Sequence, residues 1–163
     1  MTNIARAALF AAAIIFPAPP HAAAQSSTIR VTISGGPHAG TYEMAEQCDV
    51  QANAYPAMHI MAFTVGAARP KSPSTMEFFL ASGKGKPDGF VVAVVFPIEG
   101  GEQPRYEIFA IPPELAPGNA PPLRGRGTVA VKQTATGGTA SFRGQTKDGV
   151  KMEGTVECRS RSS

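Results

Sequence analysis

Gly138-Thr139-Ala140-Ser141-Phe142-Arg143-Gly144-Gln145-Thr146-Lys147-Asp148-Gly149-Val150-Lys151-Met152-Glu153-Gly154-Thr155-Val156-Glu157-Cys158 alternates apolar or small residues with polar ones on both sides of Lys147-Asp148-Gly149. Successive side chains of a strand point to opposite faces, so the pattern reads as two half-buried strands joined by a tight turn. The turn sets the register, and a slip of one residue moves every side chain to the other face. With Asp148-Gly149 as a two-residue turn, Lys147 faces Val150, and Gln145, Arg143 and Ser141 share a side with Met152, Gly154 and Val156. With Lys147-Asp148-Gly149 as a three-residue loop and Gly149 left-handed in a bulge, Thr146 faces Val150, Phe142 faces Gly154 and Ala140 faces Val156. The second arrangement makes one face consistently apolar, and it lets the Phe142 ring cover a strand glycine.

Working outward, Gly127 to Lys132 adds a third strand and completes a meander. Near the other end, Ile29, Val31 and Ile33 alternate with Thr28, Arg30, Thr32 and Ser34. The chain turns at Gly35-Gly36-Pro37, and Gly40 to Met44 returns with Tyr42 and Met44 on one face. Met58 to Val65 and Thr75 to Ala81 read as strands flanking the turn-rich Gly66 to Ser74. Ala45 to Pro56, which carries Cys48, has no clear pattern. Phe90 to Phe96 is an unbroken apolar run, the signature of a central strand buried on both faces. Arg105 to Ile111 follows, and the prolines of Pro112 to Pro122 make that stretch an extended surface loop. Short strands at intervals of about ten residues, with no convincing helix, predict an antiparallel β-sandwich of about seven to nine strands, with a closed barrel as the alternative.

The 163 residues leave room for one domain, and 17 Gly with 15 Pro exclude a helical bundle. Residues 1–24 read as a cleaved signal peptide: Arg6 carries the charge, Ala7 to Phe16 the apolar run, and Ala22-Ala23-Ala24 the small residues for cleavage. That run stops at Pro17, short of the roughly 20 residues a spanning helix needs. Residues 25–163 are then a single β domain, periplasmic or secreted, with no transmembrane segment. Cys48 and Cys158 are the two cysteines, and an even count in an oxidising compartment predicts one disulfide. Closing a loop of about 100 residues gives about 4.7 kcal/mol in the chain-entropy model. There is no Cys-x-x-Cys to argue for redox or metal chemistry. A formal charge of +3, with Arg124 and Arg126 as the densest basic pair outside the tail, predicts no nucleic-acid partner.

The segments Val31-Thr32-Ile33-Ser34-Gly35-Gly36-Pro37-His38-Ala39-Gly40-Thr41-Tyr42, Gly138 to Gly144 and Asp148 to Cys158 resemble a group of small secreted bacterial proteins, largely of unknown function. Some of these are lipoprotein antigens of actinobacteria. The resemblance covers both ends of the exported domain and implies a disulfide-closed β-sandwich without an established catalytic site. This chain departs from the lipoproteins in having no cysteine at the cleavage point to carry a lipid.

Few residues of the chain are set for catalysis. Gly-x-Ser-x-Gly is absent, Ser141 sits mid-strand, and His38 and His59 are the candidate bases of the exported domain. His38, after Gly36-Pro37, reads as a solvated turn residue. Met58, His59 and Met61 combine thioether and imidazole, which suit Cu(I), but in a strand His59 and Met61 share a face that Met58 does not. Methionine more commonly fills gaps in a core. The reading is therefore a non-enzymatic exported module, without a cofactor, that binds an envelope component or a protein partner. A small-ligand or copper carrier is the alternative, and a small hydrolase the third.

Overall fold

A computed structural model describes residues 27–46, 48–50, 58–63, 71–83, 88–115, 123–134 and 137–159. Among them lie ten strands and no helix: β1 Ser27–Ser34, β2 Gly40–Glu46, β3 Cys48–Val50, β4 Met58–Phe63, β5 Thr75–Ala81, β6 Gly89–Val95, β7 Arg105–Ala110, β8 Arg126–Thr134, β9 Gly137–Gln145 and β10 Lys151–Arg159. They form two antiparallel sheets, ordered β2-β1-β10-β9-β8 and β3-β4-β5-β6-β7. The fold is an open sandwich, as expected, and the closed barrel is set aside. Short β3 is the strand that the unpatterned stretch around Cys48 hides.

The β9–β10 hairpin adopts the three-residue loop. Gly154 pairs with Phe142 and Val156 with Ala140. Thr146 N–H donates to the Val150 carbonyl at 2.9 Å, and Gly149 is left-handed at φ 87°. Gly154 is obligatory here, because a Cβ would meet the Arg30 carbonyl at 2.2 Å and Phe142 Cζ at 2.7 Å.

Alternation then sorts the first sheet into two faces. Ile29, Val31, Ile33, Ala140, Phe142, Met152 and Val156 point inward and are buried. They meet Met76, Phe78, Leu80, Phe90, Val92, Val94 and Ile108 from the second sheet. At the centre the Phe142 ring stacks between sheets on Phe78, 5.6 Å away, and lies 5.6 Å from Phe90. Cys48 on β3 is bonded to Cys158 on β10, with Cα atoms 5.5 Å apart, so the disulfide ties one sheet to the other.

Two expectations change. Phe90 to Phe96 is β6 and its flank, second from the edge, while β5 holds the centre of its sheet. Of its outward residues Ala93 is buried but Val91 and Val95 are only half-buried, so the outer side of the run is sealed at its middle and not at its flanks. The apolar run arises because this sheet has a partly apolar outer surface, where Phe79, Val91 and Phe109 stand in register. Of the proline-rich loop, residues 116–122 lie outside the described residues, and the start closes a turn through Leu115 N–H to the Pro112 carbonyl at 2.9 Å.

Candidate functional site

The predicted site residues separate. Cys48 and Cys158 form the structural disulfide. Met58, His59 and Met61 lie on β4, where His59 pairs with Asp49 and Phe79 along the backbone, and their side chains lie outside the described residues. Among the described residues no group of three or more His, Cys, Asp and Glu could hold a metal.

His38 is not a solvated turn residue: it is buried, at 5 % exposure. Gly35 and Gly36, at φ 95° and 78°, turn the chain after β1 so that His38 points between the sheets. The second sheet brings the β6–β7 hairpin to meet it, closed at Gly100-Gly101 with paired backbone bonds between Glu99 and Glu102. The imidazole packs on Phe96 at 4.1 Å between ring centres. Its Nδ1 lies 3.1 Å from Tyr106 Oη, and its Nε2 faces Glu99 Oε2 at 3.6 Å. An acceptor beside Nε2 favours the proton there, so Nδ1 accepts from the Tyr106 hydroxyl. Tyr42 Oη donates to the His38 carbonyl at 2.9 Å. Burial and the neighbouring Tyr106 hydroxyl push the Tyr42 phenol above its ordinary pKa.

Hydroxyl, imidazole and carboxylate in line is the order of a general-base relay, yet here both rings sit in packing contacts that join the two sheets. The cluster is a latch between the β1–β2 turn and the β6–β7 hairpin. Sequence alternation could not find it, because Phe96, Glu99 and Tyr106 reach His38 from a hairpin of the other sheet, far along the chain, and the Gly-Gly-Pro setting is typical of an exposed turn.

The outward face of the first sheet is different in kind. Its side chains form cross-strand rows: Arg126, Gln145, Lys151 and Ser34; then Thr128, Arg143, Glu153 and Thr32; then Ala130, Ser141, Thr155, Arg30 and Glu43; then Lys132, Thr139, Glu157 and Thr28. Three concavities of about 610, 670 and 620 Å³ open on this face. The first two share Thr128, Arg143 and Glu153, and the second and third share Arg30, Ala130, Ser141 and Thr155, so they adjoin as one shallow, open trough over β9 and β10. Its lowest part is the third row, where Ala130 on the edge strand β8, Ser141 on β9 and Thr155 on β10 rise less far than Arg143 and Glu153 in the row before and Lys132 and Glu157 in the row after.

Charge along the trough is uneven. Arg30 reaches Glu43 at 4.0 Å, and Arg159 pairs with Glu157 at the far end. At the near end Arg126 donates to the neutral Gln145 Oε1 at 3.0 Å, while Arg143 and Lys151 have no ion pair among the described residues. Arg143 stands opposite Glu153 in register without bonding it. Arg124 and Arg126 are close in sequence, but Arg126, Arg143 and Lys151 come together through strand pairing alone. Comparison with protein-family models, with curated proteins and with solved structures finds no match to this chain.

Proposed function

We propose that the protein is an exported, non-enzymatic binding module that holds an envelope component or a segment of a protein partner in the outer-face trough. The observation that carries this is the trough itself: adjoining shallow concavities on the exposed face of a five-stranded sheet, lowest at Ala130, Ser141 and Thr155 and set among long charged side chains. An outer sheet face needs no groove for stability, whereas an extended ligand needs one for shape complementarity. On this reading residues 1–24 are removed on export and the mature domain works in the periplasm or beyond the cell. The inter-sheet disulfide suits such an oxidising compartment, where a structural bond of this kind persists.

Photo-crosslinking in the producing cell tests the proposal. A crosslinking residue at Ser141, on the trough floor, is compared with one at Arg105, on the outward face of the other sheet. The expected result is a single adduct, identified by mass spectrometry, at Ser141 and none at Arg105. No adduct, or the same adducts at both positions, would refute it. A hydrolase would instead show turnover lost with His38→Gln and no dependence on the trough.

A further inference from the structure

Resting on the trough as the binding face, the geometry points to its ligand: we propose that the near end grips alternate acidic side chains of an extended polypeptide lying along β9 and β10. The rows of the sheet repeat every second residue, about 6.7 Å, and an extended peptide presents same-side side chains at that same spacing. Arg126 and Lys151 stand in one row and Arg143 in the next. Carboxylates at positions i and i+2 of the ligand would therefore meet the two cationic rows in turn.

Charge selects an acidic partner. Arg143 and Lys151 lack a carboxylate partner among the described residues, and Arg126 spends its hydrogen bond on an amide. A guanidinium binds a carboxylate through two parallel hydrogen bonds, so Arg126 and Arg143 are suited to orient as well as attract. Glu153, beside Arg143 in the second row, penalises a ligand crowded with acids at every position and favours alternation with neutral residues.

Chemistry on the same face disfavours a sugar chain or a lipid surface. Sugar chains are commonly held by exposed aromatic rings, and among the described residues the ring that lines the trough, Phe142, is 4 % exposed and faces the core. An anionic bilayer rewards protruding apolar side chains beside the cations. The large exposed apolar side chains among the described residues, Ile98 and Leu123, do not line the trough.

The test uses the disulfide-bonded protein and a fluorescent synthetic peptide with Glu at every second position and Ser between. Anisotropy should show saturable binding that weakens with added salt. The R126E/K151E variant, its fold checked by an unchanged urea midpoint, should bind at least about tenfold more weakly, the factor that corresponds to roughly 1.4 kcal/mol. A matching Lys-Ser peptide should bind that variant better than the wild type. No binding to wild type, binding untouched by the double reversal, or tighter binding of inorganic polyphosphate or phosphatidylglycerol vesicles than of the peptide would each overturn the inference. A Ser141 crosslink that survives R126E/K151E would sink the acidic ligand and leave the trough standing; absence of the crosslink in wild type sinks both.

Discussion

Phe142→Ala should be among the most damaging single substitutions in this domain. The side chain is 4 % exposed and is the point where β9 touches both its neighbour and the opposite sheet. It stacks on Phe78 with centroids 5.6 Å apart, approaches Phe90 at 5.6 Å, and covers Gly154, where its Cζ comes within 2.7 Å of a would-be Cβ position. Truncating a buried Phe removes its transfer free energy and leaves a cavity, together about 3–5 kcal/mol. The position has two ring partners and a glycine beneath it that cannot fill space, so a value near the upper part of that range, about 4 kcal/mol, is expected. With a urea m-value of about 1.5 kcal/mol/M, the midpoint of the oxidised protein should fall by roughly 2–3 M at unchanged slope. Ser141→Ala, one residue away on the outward face, should stay within about 0.5 kcal/mol of wild type. A Phe142→Ala loss below about 1 kcal/mol, or equal losses at both positions, would refute the register and the core built on it.

Further outcomes follow from the same contacts. Cys158→Ser should lower stability by about 2–5 kcal/mol in denaturant melts, and a midpoint equal to that of the oxidised wild type would contradict an inter-sheet disulfide. Tyr106→Phe removes the hydroxyl at His38 Nδ1 and should cost about 1–3 kcal/mol, since the buried nitrogen is left without its partner; a neutral result would show that the latch is not formed. The Tyr42 phenol is pushed up by burial, so the folded state resists its ionisation. The stabilisation associated with this group is complete below the ordinary tyrosine value of about 10 and is lost as pH rises through the higher folded value. Tyr42→Phe should flatten the alkaline fall in stability, and an identical fall in both proteins would count against the shift.

Sequence alone determined the parts of this protein that depend on period two and on turn chemistry. The alternation in Thr28 to Ser34 and in Gly138 to Cys158, with Lys147-Asp148-Gly149 as the loop, predicted strands, faces and register that the hairpin reproduces pair by pair. Those features are local, because a strand residue's face follows from its count along the chain and a loop of fixed length leaves one register. The cysteine pairing was legible for a different reason: two cysteines admit one intramolecular bridge.

Tertiary structure alone decided what depends on order across a sheet and on contacts between sheets. Nothing local places β10 beside β1, or β5 rather than the more apolar β6 at the centre of its sheet. His38 reads as solvent-exposed by its Gly-Gly-Pro neighbourhood and is buried because the β6–β7 hairpin packs over it with Phe96 and Tyr106. The basic end of the trough has the same origin. Arg126, Arg143 and Lys151 sit on three strands, each an ordinary outward-facing charge in sequence, and antiparallel pairing sets them in adjacent rows where their fields add and no neighbouring carboxylate bonds them. Charges combine through space rather than along the chain, so this feature exists only once the sheet is assembled.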